Sequence, residues 1–191
     1  DGYDIETFYH TEADYSGLPS SDIQSLCNDS EGTLWVGTAK GLCRYDPYKD
    51  RFVTCLQEDS LTLGGFNIVD ILEDQDKLLW LAAYRSGVVV YNPRDQSLKR
   101  FVHDPASPNS LSSNNIFSIF QDSDKNIWIT SYDGGVNLYI PEDDSFLHFR
   151  HDPENPKSLL GDNIHAMAED TNRNHWFACN YAGLSSINLK R

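Results

Sequence analysis

Two constellations in this sequence have the residue types and spacing for chemistry. His103-Asp104 and His151-Asp152 recur 48 residues apart, and His10 holds the corresponding place in an earlier copy. A His-Asp pair can poise a general base, but nothing near either pair supplies a nucleophile. A repeated hydrogen bond that fixes a loop explains the recurrence better than catalysis. Asp122-x-Asp124-x-Asn126 and Asp170-x-Asn172-x-Asn174 resemble the opening of a calcium loop. The glycine at its sixth place and the glutamate at its twelfth are missing, and Asp side chains bonded to turn amides account for the same residues. Cys27, Cys43, Cys55 and Cys179 sit at unrelated places with no C-x-x-C, which disfavours a zinc site or a disulfide framework and favours buried free thiols. No catalytic residue, metal or cofactor is expected.

The elements that would position these residues are repeats. Asn115 to Asp122 is rich in β-branched and aromatic residues and ends in the turn cluster Asp-Ser-Asp-Lys-Asn; Ile127 to Tyr132 then alternates in polarity, and Gly134-Gly135 breaks the run before Val136 to Ile140. Strand, turn, strand, turn, strand is the natural reading. Trp35, Trp80, Trp128 and Trp176 repeat it at separations of 45, 48 and 48. Six residues before them lie Asp29, Asp74, Asp122 and Asp170, and twelve before lie Ile23, Ile68, Ile116 and Ile164. Leu18, Leu63, Leu111 and Leu159 stand seventeen before, and Gly41, Gly87, Gly135 and Gly183 stand six or seven after.

Four antiparallel strands per unit, joined by short turns, predict an all-β fold of propeller blades. The expected boundaries are about 1–10 as a spare fourth strand, then 11–57, 58–103, 104–151 and 152–191, the last unit lacking its own fourth strand. Phe8 lies fifteen before Ile23, as Phe101 does before Ile116 and Phe149 before Ile164, which is why Tyr3 to Tyr9 reads as the end of a preceding unit. The tryptophans and aspartates are assigned to structure, each indole filling the space between sheets about 10 Å apart.

Composition limits the partners. At 191 residues and 39 % hydrophobic content a core is affordable, while 15 Lys and Arg against 29 Asp and Glu give a net charge of −14. Such a field repels nucleic acid and anionic lipid, so neither nucleic-acid binding nor membrane insertion is expected of this segment. There is no 18-residue apolar run and no signal peptide.

Ile116-x-x-Ile119-x-x-Asp122-x-x-x-x-x-Trp128-Ile129-Thr130, followed by Gly-Gly and Tyr139, resembles the two-component regulator propeller repeat. The His-Asp-Pro-x-x-Pro-x-Ser-Leu connector is similar to those in sensor regions of hybrid two-component systems of Bacteroides-type bacteria. Trp80-Leu81-Ala82-Ala83 and Trp176-Phe177-Ala178-Cys179 depart from the pattern after the tryptophan. The resemblance implies a periplasmic sensor of many blades, joined in its parent to a membrane helix, a histidine kinase and a DNA-binding output. It implies a glycan breakdown product as input and transcription as response, with no catalysis by this piece.

In a propeller, the loops joining strands two and three share a face with the inter-unit connectors. That topology singles out Lys40, Tyr84, Arg85, Tyr132, Asp133, Asn180 and Tyr181 as candidate ligand contacts. Ring faces for stacking beside forked hydrogen-bonding groups suit a sugar, although the tyrosines could equally pack on neighbouring blades. Three readings stay open: a glycan-responsive sensor fragment, a ligand-free scaffold for dimer or protein contacts, and a carbohydrate-active propeller enzyme, the last without a singled-out carboxylate pair. The expected partners are an oligosaccharide, the remaining blades of the parent and a second copy, the segment either closing on itself, sharing a ring as a homodimer, or staying open.

Overall fold

The computed structural model describes residues 4–10, 17–57 and 66–189. Leu63 and the start of the strand read over Tyr3 to Tyr9 lie outside them. Four antiparallel sheets follow one another along the chain. The first is β1 (Ile23–Asn28), β2 (Leu34–Thr38), β3 (Gly41–Asp46) and β4 (Arg51–Gln57); the second is β5 (Ile68–Glu73), β6 (Leu79–Ala83), β7 (Gly87–Tyr91) and β8 (Leu98–Phe101). The third is β9 (Ile116–Gln121), β10 (Ile127–Ser131), β11 (Val136–Ile140) and β12 (Ser145–Phe149), and the fourth has three strands, β13 (Ile164–Glu169), β14 (His175–Cys179) and β15 (Gly183–Ile187). Strand order within each sheet is sequence order, and the first strands lie side by side, β1 on β5, β5 on β9 and β9 on β13. These are propeller blades fanned about the inner strands.

The repeated Asp-Trp pair is one device used four times. Asp122 Oδ1 accepts the backbone amides of Asp124 and Asn126, closing the first turn, and Oδ2 accepts the Trp128 indole N–H at 2.8 Å. Asp29 does the same for Glu31, Thr33 and Trp35, Asp74 for Asp76, Leu78 and Trp80, and Asp170 for Asn172, Asn174 and Trp176. The pseudo-calcium pattern is therefore turn chemistry, its carboxylate oxygens already occupied by donors. Burial pulls the Asp122 carboxyl upward, but the bonds from Trp128, Asn126 and His175 outweigh it and leave it below the usual carboxylate range. Asp29 is lowered by the same balance, and Asn174 and Trp176 bring Asp170 down to about 2.

The first three indoles each complete a core shared with the following sheet. Trp35 packs among Ile68, Ile71, Leu79 and Leu81, Trp80 among Ile116, Ile119 and Ile127, and Trp128 among Ile164, Leu159 and Phe177. Their exposures are 3 %, 4 % and 0 %, whereas Trp176 is 36 % exposed. The expectation of four equivalent buried indoles thus fails at the fourth, because no described sheet follows it.

Polar bonds also cross the junctions. Glu73 accepts Ser30 N–H and Oγ–H, Glu169 accepts the same pair from Ser123, and Asp70 Oδ2 accepts the Ile119 amide at 2.9 Å. Burial raises the Asp70 carboxyl, against which its bonds from the Ile119 and Ile71 amides pull. His10, His103 and His151 each bond through Nδ1 to the carbonyl of the connector leucine, Leu18, Leu111 and Leu159, at 2.6 to 2.7 Å. The recurring histidine is a loop clamp, as its spacing suggested.

Glycine opens every third strand for a steric reason. Gly41, Gly87 and Gly135 have φ of 148°, 82° and 72°, and a Cβ on them would lie 2.0, 2.2 and 2.3 Å from the carbonyl oxygens of Leu56, Phe101 and Phe149 on the fourth strand. At Gly183 no atom comes that near; Leu160 Cδ1, at 3.6 Å, is nearest.

Residues 4–10 pair with no strand among the described residues, contrary to the strand expected there. A strand needs a ladder, and none of the described strands offers this segment one. Phe8 nevertheless packs edge-on against Tyr45 and Phe52, at 6.2 and 5.3 Å. Phe101 makes the matching pair with Tyr139 and Phe146 of the third sheet, at 5.5 and 5.2 Å.

Candidate functional site

The loops between second and third strands are anchored alike. Ala39, Tyr84, Tyr132 and Asn180 each donate their backbone N–H to the carbonyl of the residue that precedes an inner strand, Asp22, Asn67, Asn115 and Asn163, at 2.8 to 2.9 Å. The candidate contact residues therefore stand where the inner strands begin. Every inner strand carries a bulge just there, the register shifting between Ile23 and Ser25, Ile68 and Asp70, Ile116 and Ser118, and Ile164 and Ala166. A bulge re-aims a side chain, and the residues it re-aims are Gln24, Val69, Phe117 and His165.

Phe117 is the hub. Its ring stacks on His165 at 4.4 Å and 28°, lies near-parallel to Tyr84 at 6.5 Å, and meets Tyr132 edge-on at 5.8 Å. The Arg85 guanidinium stands 5.4 Å over the Tyr84 ring. Five side chains from three sheets thus form one aromatic and cationic group. Tyr132 is 49 % exposed and Phe117 and Tyr84 are half-buried, so ring surface remains open. Arg85 is held in left-handed backbone, φ 62°.

The other candidates fall outside this group. Asp133 accepts from the Ser113 hydroxyl and from Asn115 Nδ2 at 3.0 Å, and its carbonyl accepts from Arg150, so it braces its own loop. Lys40 is exposed on the first sheet's loop, and Tyr181 is fully exposed beside Asn180, with no ring partner among the described residues. Two amide oxygens at the inner-strand starts, Asn67 Oδ1 and Asn163 Oδ1, are buried without a donor. Among the described residues no group of three His, Cys, Asp or Glu is placed to hold a metal.

Sequence reasoning found Tyr84, Arg85 and Tyr132 but missed Phe117 and His165. The signal was available: the position after the inner-strand isoleucine reads Gln, Val, Phe, His across the repeats, directly beside an isoleucine that never changes.

Residues 17–40 and 110–133 match the family model of the two component regulator propeller, so these two stretches carry that repeat. Over 92 residues it is 31 % identical to histidine kinase P4 of Formosa agariphila, which is 46 % of this chain but only 7 % of that protein. The extracellular domain of a B. thetaiotaomicron hybrid two component system, BT4673, superposes with a TM-score of 0.75 at 23 % identity, over 92 % of this chain and 22 % of the other. PorZ, a surface component of the Porphyromonas gingivalis type-IX secretion system, superposes with 0.66 at 15 % identity over 94 % and 28 %. Virginiamycin B lyase of Staphylococcus aureus does so with 0.59 at 14 % identity over 88 % and 56 %. At such identities the likeness is one of fold. An extracellular domain of a two component system, a secretion component and a lyase share it, so function rests on the site.

Proposed function

We propose that this chain is a segment of the periplasmic sensor region of a hybrid two-component histidine kinase, and that the surface around Phe117 helps bind a glycan-derived ligand whose recognition is relayed to transcription. The carrying observation is the group Tyr84, Arg85, Phe117, Tyr132 and His165, drawn from three sheets to one face. Sugars present an apolar C–H face to aromatic rings and hydroxyls or carboxylates to a guanidinium, which is the chemistry this group offers. The matched repeat and the kinase relative support the system assignment. In this reading the segment binds ligand but catalyses nothing, the four repeat aspartates being committed to turns and the connector histidines to loop carbonyls.

Calorimetry of the chain against a panel of neutral and acidic oligosaccharides tests the reading. One ligand should bind, and Phe117→Ala and Arg85→Ala should each weaken it about tenfold, the equivalent of about 1.4 kcal/mol, without altering the circular dichroism. Binding that survives both substitutions unchanged would refute the site. The scaffold reading draws on the exposed Trp176 face; it predicts that only substitutions on that face abolish signalling in the parent.

A further inference from the structure

We infer that the sugar held around Phe117 is an anionic one, a pyranose bearing a carboxylate or a sulfate ester, and that Arg85 receives the anion while Phe117 and Tyr132 carry the ring. The inference rests on the binding surface proposed above and assigns its ligand a charge. Arg85 is exposed, and its guanidinium lies 5.4 Å over the Tyr84 ring. Among the described residues it makes no hydrogen bond and no ion pair, whereas Lys99 is paired with Asp144, Arg150 with Asp162 and Arg173 with Asp124. Carboxylates on the neighbouring loops and inner strands are already held by other donors. Asp133 takes the place of Arg85 on the third sheet, and its oxygens accept from the Ser113 hydroxyl and from Asn115 Nδ2. Asp162, just before the fourth sheet, accepts from Arg150 and from the His151 amide. Asp70, on the inner strand of the second, accepts the amides of Ile71 and Ile119. The forked donors of Arg85 are thus left for a ligand, and a guanidinium fork grips an oxyanion through two parallel bonds.

The loop holds that guanidinium in place. Tyr84 donates its amide to the Asn67 carbonyl at 2.9 Å and Ser86 to the Ala83 carbonyl at 2.8 Å, while Arg100 donates from Nε and Nη2 to the Ser86 carbonyl at 3.2 and 3.1 Å. Between these anchors Arg85 has φ 62°, so its side chain starts from a fixed backbone. Less order is then left for binding to impose. The rings beside it supply the apolar half of the site. Phe117 meets Tyr132 edge-on and stacks on His165, which gives the C–H face of a pyranose a platform within the same group.

A net charge of −14 opposes an anionic ligand only where the acids stand near it. Many of them stand at the other end of the sheets. With strands in sequence order, the first and third turns share one end, and the second turns and the connectors share the other. Asp29, Asp74, Asp122 and Asp170 lie in first turns, and Asp46 and Asp144 at third turns. A five-residue strand such as β6 separates the two ends by roughly 17 Å. That is about twice the distance over which physiological salt screens a charge. The field at the Phe117 end is therefore set by its own groups, and there Lys40 holds the repeat position of Arg85 on the neighbouring first sheet. Among the connector acids at that end, Asp104 and Asp152 accept the amides of Ala106 and Glu154 in their own turns.

Calorimetry against matched sugars reads the charge directly, using oligouronides, their carboxyl-reduced neutral counterparts, and sulfated forms of those counterparts. A charged form should bind about tenfold tighter than its neutral counterpart, the uronide and sulfate arms identifying which anion is taken. Added NaCl should shrink the preference. Arg85→Ala should reduce it to about twofold or less, because charged and neutral sugars then meet the same rings. Phe117→Ala should weaken both forms alike and keep the preference. Arg94→Ala, which removes an exposed charge from the third turn of the second sheet, should leave it unchanged. Neutral sugars that bind as tightly as their charged partners overturn the inference and leave the sugar surface standing. A preference that survives Arg85→Ala, or that Arg94→Ala lowers as much, also overturns it, because the anion is then not held by Arg85. Binding of no sugar, charged or neutral, refutes the surface itself.

Discussion

Replacing Asp122 by alanine removes a carboxylate that is 3 % exposed and that accepts two turn amides, the Asn126 amide, the Trp128 indole and His175. Trp128 is fully buried, so its indole N–H keeps no partner and water cannot reach it. A buried donor left without a partner costs about 1–3 kcal/mol, so losing the acceptor of the indole and its neighbouring donors together costs about 3–5 kcal/mol. For a chain of this size a loss of 1 kcal/mol lowers Tm by about 2–4 °C, giving a fall of roughly 6–20 °C. Asp170→Ala is the internal control. It removes the same turn and indole bonds, but Trp176 is 36 % exposed and water can replace them, so its Tm should fall far less. Thermal melts followed by circular dichroism in dilute solution compare the two directly. Should Asp170→Ala cost as much as Asp122→Ala, burial of the indole is not what gives this device its strength.

Acid should weaken the fold. Asp29, Asp122 and Asp170 titrate below their usual range in the fold, so their contribution is complete above the unfolded value of about 3.9 and is lost as pH falls through the folded values, which for Asp170 is about 2. Tm should be level from pH 7 to about 5 and drop steeply below 4; a Tm unchanged at pH 3 contradicts the assignment. Gly135→Ala should destabilise more than Gly183→Ala. Both meet a left-handed penalty of about 1–2 kcal/mol, but only the first also drives a Cβ to 2.3 Å from a carbonyl oxygen. Urea midpoints measure the difference. His175 sits 4 % exposed, with Nδ1 unpartnered, where the other sheets carry Leu34, Leu79 and Ile127. His175→Leu should therefore change stability by no more than about 1 kcal/mol in either direction, despite removing a bond to Asp122; a loss near that of Asp122→Ala would show that His175 is essential to the junction.

The sheets were legible because one device recurs. Each Asp, Trp and Gly of the repeat has a single geometric job, closing a turn, filling a junction or clearing a carbonyl, and four copies at fixed spacing expose such jobs even without an alignment. The site was only partly legible. Tyr84, Arg85 and Tyr132 followed from topology, whereas Phe117 and His165 depend on a bulge, a one-residue shift of register that composition does not announce. That Asp133 braces its loop was not legible, because Ser113 and Asn115, nineteen or so residues back along the chain, converge on it only after folding. The inequality of the indoles was hidden for a related reason. Burial of Trp35, Trp80 or Trp128 is conferred by the sheet that follows, not by the sheet that bears it.

That last dependence gives the molecule a direction. Since each of the first three sheets is capped by its successor, loss of structure in the chain as given should start at the Trp176 end and travel backward, each departure laying bare the indole before it. Deuterium uptake would then rank β14 ahead of β10 and β10 ahead of β6, a gradient running against the order of synthesis. For anyone dissecting the chain, the smallest self-sufficient piece is not one repeat but a repeat together with the opening hairpin of the next.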